Sequence, residues 1–129
     1  MSRRTFKVIV AGSRTAGTDT DHYILLECKL NILLKRKSIT HDIVIVSGAA
    51  KGADQMGEHY AKVYNYEVER YPADWTKFGK RAGYLRNQEM AMNADALVAL
   101  WDGHSRGTQH MIKLATEHGL PTRTISFNN

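Results

Sequence analysis

Apolar residues gather in short runs separated by amphipathic stretches, and this alternation is the main structural signal in the chain. Lys7 to Ala11 (KVIVA) reads as a buried strand closing on Gly12-Ser13-Arg14. The stretch from about Asp21 to Lys37, with Leu26, Leu30 and Leu33, reads as a helix capped by Thr20 or Asp21. Ile43 to Val46 is a second strand ending in Ser47-Gly48. Ala53, Met56, Gly57, Tyr60, Ala61 and Tyr64 then recur at helical spacing and define one apolar face. Glu67 to Tyr71 is a third strand, followed by a loop at Pro72-Ala73-Asp74-Trp75 and a less regular helix over Lys80 to Asn93. Ala96 to Trp101 is a fourth strand, and Asp102 to Gly107 a polar loop. A helix carrying Thr108, Met111, Ile112 and Ala115 stops at Gly119 and Pro121, and Thr122 to Phe127 is the last strand. Strands separated by helices pair in parallel through crossovers. The expectation is a three-layer, Rossmann-like α/β fold with a mainly parallel five-stranded sheet, spanning residues 1–129 as one domain.

Composition narrows the picture. The 129 residues are 43% hydrophobic, with no low-complexity segment or internal repeat, as in a globular chain. The lone Cys28 lies in an apolar stretch, where a buried thiol is expected; one cysteine makes no internal disulfide, so a reducing cytoplasm is the expected setting. No apolar run approaches the ~20 residues of a membrane span, and no signal-peptide core of normal length is expected. The six histidines show no metal-ligand spacing, so neither a metal nor a cofactor is expected. The net charge of +5 favours anionic partners. Its scatter along the chain fits a small anion better than a nucleic acid, and the scarcity of loop aromatics points the same way.

Ligands of open parallel sheets collect outside the carboxyl ends of the strands. Three glycine-bearing loops fall there: Gly12-Ser13-Arg14, the run from Ser47 through Gly48, Ala49, Lys51 and Gly52 to Asp54, and the run from Asp102 and Gly103 through Ser105 and Arg106 to Gly107 and Thr108. Glycine lets backbone amides approach an anion, and the last two loops run into helix N-termini. Arg14, Lys51 and Arg106 add charge, and Ser47, Ser105 and Thr108 add hydroxyls. Arg86, beside Asn87, suits a bidentate phosphate clamp. Trp75 suits stacking on a base or a lid role, and Trp101 suits core packing. No Walker A motif and no complete G-x-G-x-x-G occurs, which excludes the signatures of ATPases and ordinary dinucleotide dehydrogenases. Asp54, Glu58 and Asp102 are the acids near the loops, and Asp102 suits either a ribose hydroxyl or a turn cap.

Ala11-Gly12-Ser13-Arg14, the run Val46 to Asp54, Tyr71 to Trp75, Ala82-Gly83 with Arg86-Asn87, Met90 through Ala96, and Trp101 through Thr108 together resemble the YspA-like branch of the SLOG superfamily. That resemblance implies a Rossmann-like fold, a nucleotide or nucleotide-derived ligand such as an ADP-ribose-like signal, and a homo-oligomer. Related branches are the LOG-type phosphoribohydrolases, which cleave N-glycosidic bonds of nucleoside monophosphates, and the DNA-processing DprA proteins. They supply the alternatives of hydrolase or transferase and of single-stranded nucleic-acid binding. Arg86 matches the LOG arginine, and Gly103, Gly107 and Thr108 resemble the glycine-threonine loop. The catalytic glutamate falls at Met111, whose thioether is neither acid nor base, and the lysine after the arginine is Asn87. Asp54, Glu58 or Asp102 would have to take over any catalysis. The expectation is therefore a sensor or sequestering module.

Overall fold

The computed structural model describes residues 4–16 and 20–127. Five strands form one sheet: β1 (Arg4–Gly12), β2 (His41–Ser47), β3 (Glu67–Arg70), β4 (Ala96–Trp101) and β5 (Thr122–Ser126). Their order is β3-β2-β1-β4-β5, and every pairing is parallel. β1 is central, with Val8 opposite Ile45 on one side and Ala96 on the other. The order reverses between β1 and β4, which makes their carboxyl ends the topological switch point of the sheet.

The helices are α1 (Thr20–Leu34), α2 (Lys37–Thr40), α3 (Ala53–Val63), α4 (Trp75–Phe78), α5 (Ala82–Asn93) and α6 (Arg106–Glu117). Successive strand residues point to opposite faces. Val8 and Val10 therefore join Ile45 and Val98 in a core roofed by Leu26 and Leu30 of α1 and Tyr60 of α3. Ile9 and Ala11 join Val46, Leu97 and Ala99 against Met90 of α5 and Met111 and Leu114 of α6. Ala96 through Leu100 of β4 are wholly buried, the continuous apolar run of a strand covered on both faces. The edge strands β3 and β5 carry Glu67, Arg70, Thr122 and Arg123, which discourages pairing with another sheet edge.

Three local expectations change. Cys28 is exposed. α1 buries His22, Leu26, Leu30 and Leu34, and Cys28 lies two residues from that stripe on either side, on the opposite face of the helix. Trp75 begins the one-turn α4 instead of lying in a loop; Asp74 caps that turn by accepting from the Lys77 amide at 3.0 Å, and a 3-10 turn over Gly79–Arg81 leads into α5. α1 already includes Thr20, so the capping position lies outside the described residues. Among the described residues no helix is long and apolar enough to cross a membrane.

Candidate functional site

A cavity of about 430 Å³ opens at the switch point. Its floor is Gly12 and Ser13 at the end of β1 and Asp102 beyond β4; α5 and the start of α6 form one wall, and Ala50 and Asp54 the other. Ser13 is wholly buried and ties the two central strands together. Its amide donates to the Leu100 carbonyl at 2.9 Å, and its hydroxyl accepts from the Asp102 amide at 3.2 Å.

The second loop presses onto the first because Gly52 has no side chain. A Cβ there would stand 2.5 Å from the Ser13 carbonyl oxygen and 2.7 Å from that of Arg14, and its φ of +81° is one that glycine alone adopts freely. The loop then turns inward on itself. The Ser47 hydroxyl accepts from the Ala49 amide at 3.0 Å and donates to Glu58 Oε2 at 2.7 Å. Asp54 Oδ2 accepts from the Ala50 amide at 3.1 Å. Asp54 is 6% exposed, and burial pushes its carboxyl up to about 6, against the lowering pull of the Ala50 amide and the Arg86 charge.

Arg86 crosses from α5 to this loop. Its Nη1 donates to the Gly48 carbonyl at 2.5 Å and its Nε to Asn87 Oδ1 at 3.0 Å. Burial lowers its pKa from the ordinary guanidinium value, while Asp54 raises it and Arg14 lowers it. A guanidinium stays charged at neutral pH under such pressure. Asn87 is buried and donates from Nδ2 to the Gly107 carbonyl at 3.3 Å and toward His110 Nδ1 at 3.2 Å. The residue standing where LOG enzymes have lysine thus fastens α5 to the first turn of α6. Burial lowers the His110 pKa, consistent with an unprotonated Nδ1 accepting from Asn87.

The third loop is held by Asp102, whose Oδ1 accepts from the His104 and Ser105 amides, both at 2.8 Å. Those bonds hold its carboxyl below the usual range. Of the two roles open to Asp102, capping the turn is the one its bonds fill. Ser105 in turn caps α6: its Oγ accepts from the Thr108 amide and meets Thr108 Oγ1 at 3.0 Å.

Several of the loop amides that the sequence offers to a ligand are bonded within the protein. The amides of Ser13, Ala49, Ala50, Asp102, His104 and Ser105 are engaged by neighbouring oxygens. The first-turn amides of Arg106 and Gly107 lie beyond the reach of intrahelical bonding. Full charge comes instead from side chains, with Arg14, Lys80 and Arg86 all on the cavity wall.

The cavity brings together Gly12, Ser13, Arg14, Asp54, Trp75, Arg86, Asn87, Asp102, Ser105, Gly107 and Thr108 of the expected site. Ser47, Gly48 and Gly52 are outside the lining and buried or half-buried, while Ala49, Lys51, Gly103 and Arg106 are outside it and exposed. Glu58 is also outside, tied by Oε1 to Arg70 Nε at 3.0 Å and Nη2 at 2.7 Å and by Oε2 to Ser47. Trp101 is half-buried and donates from Nε1 to the Ser105 carbonyl at 3.1 Å. Lys80 and Tyr84 line the cavity and are not singled out by the sequence; Gly83 and Met90 line it too and stand out there only as carriers of the resemblance. Gly83, Asn87 and Met90 repeat at helical spacing, a signal that extends the face of Asn87 in both directions. Met111 also lines the cavity and is almost wholly buried. Among the described residues no group of three or more His, Cys, Asp or Glu side chains is placed to hold a metal ion.

Comparison with known proteins gives a family match and two similar proteins. The Gene 61 protein of Mycobacterium phage D29 is 33% identical over 129 residues, covering 95% of this chain and 97% of the relative. The C-terminal domain of a Pyrococcus furiosus hydrogenase is a remote structural neighbour at 14% identity and a TM-score of 0.46, covering 97% of this chain and 95% of that one. The family model described as YspA, cpYpsA-related SLOG family matches residues 6–78, from β1 through α4. With more than half of its length in that match and a relative so similar along nearly its whole length, the chain belongs to the YspA, cpYpsA-related SLOG family.

Proposed function

We propose that the switch-point cavity binds a nucleotide or nucleotide-derived small molecule, with an ADP-ribose-like signal as the type, and that the chain acts as a sensor or sequestering module in the cytoplasm. The observation that carries this reading is Arg86, held by Gly48 and Asn87 on the wall of a cavity that Arg14 and Lys80 also line. A guanidinium fixed by two bonds is preorganised for a phosphate. Trp75, about half exposed, and Tyr84 stand at the same cavity and offer faces for a base. A volume of about 430 Å³ fits a small molecule better than a nucleic-acid strand.

Asp54 supports a second reading, N-glycosidic hydrolysis or transfer. Its carboxyl faces the cavity with a pKa of about 6, within the range of a general acid at neutral pH. Met111 at the position of the LOG glutamate favours binding without turnover.

Native mass spectrometry of protein purified from cells tests the first reading. A retained mass matching a phosphate-bearing nucleotide derivative is the expected result. Incubation with nucleoside monophosphates separates the two readings: release of free base that disappears in Asp54→Asn would replace the sensor with the enzyme.

A further inference from the structure

His110 lies on α6, half-buried and outside the cavity lining, yet Asn87 joins it to the wall. Asn87 makes three contacts. Its Oδ1 accepts from Arg86 Nε at 3.0 Å, and its Nδ2 faces the Gly107 carbonyl at 3.3 Å and His110 Nδ1 at 3.2 Å. Two of these partners fix which way the amide points. A guanidinium nitrogen only donates, and a carbonyl oxygen only accepts. Turning the amide over would set its NH2 group against Arg86 Nε and its oxygen against the Gly107 carbonyl. The other hydrogen of Nδ2 therefore points at His110 Nδ1, which must offer a lone pair. His110 is then neutral, with its proton on Nε2.

The surroundings of the ring bear on that state from both helices. Tyr84 of α5 stands edge-on to it, with ring centroids 4.6 Å apart. Burial and the Lys113 charge disfavour an imidazolium, and Glu117 favours one. Beyond Asn87 stands the Arg86 cation, which itself faces Asp54 of α3 and Arg14. Protonation of His110 would set an Nδ1–H against the Nδ2–H of Asn87. Relief comes by turning the ring away, which leaves the amide less firmly held, or by turning the amide over, which breaks its bond to Arg86. Both loosen the hold on Arg86 Nε.

We propose that unprotonated His110 is a positioning residue for Arg86: acting through Asn87, it holds the guanidinium on the cavity wall, and its protonation releases that hold and weakens the binding of phosphate. The second half rests on the reading of the cavity as a phosphate site; the first half does not. The direction is diagnostic, because charge alone gives the reverse. An imidazolium on α6 and a neutral Asp54 would each draw an anion more strongly as pH falls.

Nitrogen NMR of the imidazole and guanidinium groups in the free protein tests the first half. Above the His110 titration, its ring is expected in the Nε2–H form and the Arg86 Nε–H resonance protected from exchange. As His110 titrates, that resonance shifts and loses protection with the same midpoint. An Nδ1–H ring, an Arg86 resonance indifferent to the titration, or a His110 that stays unprotonated down to acid unfolding overturns the proposal.

Calorimetry with ADP-ribose and nucleoside monophosphates tests the second half. Wild type, His110→Gln and His110→Leu are compared at the same pH, so that the titration of Asp54 cancels. Glutamine keeps a neutral acceptor for Asn87, and leucine gives none. Above the titration, His110→Gln should bind like wild type and His110→Leu about tenfold more weakly, as for one lost hydrogen bond. Below it, His110→Gln should bind about tenfold more tightly than wild type. Wild type equal to or tighter than His110→Gln below the titration overturns the gating, and so does His110→Leu binding like wild type above it. If no compound binds any of the three proteins, the phosphate reading of the cavity fails, and the NMR result alone decides the role of His110.

Discussion

Arg86 and Asp54 reach the cavity from different helices and meet at Gly48. Arg86 Nη1 donates to the Gly48 carbonyl at 2.5 Å, and a Cβ on Gly48 would stand 2.6 Å from that nitrogen and 2.8 Å from Asp54 Oδ2. The absence of one side chain therefore lets a cation and a carboxylate share a loop. Gly48→Ala must move the ends of both side chains. We expect a stability loss of about 1–3 kcal/mol by denaturant unfolding, with the fold retained, and ligand affinity at least about tenfold lower by calorimetry.

Asp54 makes stability depend on pH in a stated direction. Its folded pKa, about 6, lies above the ordinary 3.8, so between those values the native state holds a proton that the unfolded chain has released. Its contribution is fully present below pH 3.8 and lost as pH rises through 6. Asp54→Asn removes that slope. The variant should gain stability over the wild type as pH rises from about 4 to about 7, by about 2–3 kcal/mol, from a shift of roughly two units at about 1.36 kcal/mol each. Urea unfolding at both pH values checks it; a stability difference that does not change with pH would refute the assignment.

Glu58 lies outside the cavity lining and braces the loop through Ser47. Arg70 and Ser47 hold its carboxylate, with hydrogen bonding to Arg70 the main cause of its lowered pKa. That contribution is present above the unfolded pKa and lost as pH falls through the folded one. Glu58→Gln should cost a little stability near neutrality and leave ligand affinity within about twofold, well under about 1 kcal/mol. Loss of any base-releasing activity in this variant, with the fold intact, would place Glu58 in the reaction instead.

Gly107 offers a direct way to fill the cavity. It lines the space near Thr108, and a Cβ there meets nothing within 4 Å. Gly107→Val replaces a poor helix former in the first turn of α6 and projects into the opening. We expect an unchanged or slightly raised melting temperature together with at least about tenfold weaker ligand binding, roughly 1.4 kcal/mol.

Much of this arrangement is legible in the amino-acid sequence. Strand-closing glycines mark the loops at Gly12, Gly48 and Gly103, and the strand-helix alternation brings them to one sheet edge. Asp54, Arg86 and Asn87 stand out for their types beside those loops. Tertiary contacts hide the rest. Lys80, in the 3-10 turn before α5, and Tyr84, on α5, line the cavity, while Lys51 and Arg106 are exposed outside its lining although they sit inside the glycine loops. The internal bonds of Ala50 to Asp54 and Ser105 to Asp102 have no sequence signature separating them from ligand donors. α1 misleads about Cys28 because it is apolar on two faces, only one of which the sheet covers.

We propose that Arg86 holds a phosphate-bearing ligand at the switch point. Isothermal calorimetry with ADP-ribose, nucleoside monophosphates and the matching phosphate-free nucleosides measures it in wild type and Arg86→Ala. We expect binding of at least one phosphate-bearing compound, none of its nucleoside, and an affinity at least about a hundredfold lower in the variant, as for loss of a charge-assisted contact of roughly 3 kcal/mol. Equal affinity in the two proteins, or binding that ignores the phosphate, would contradict it.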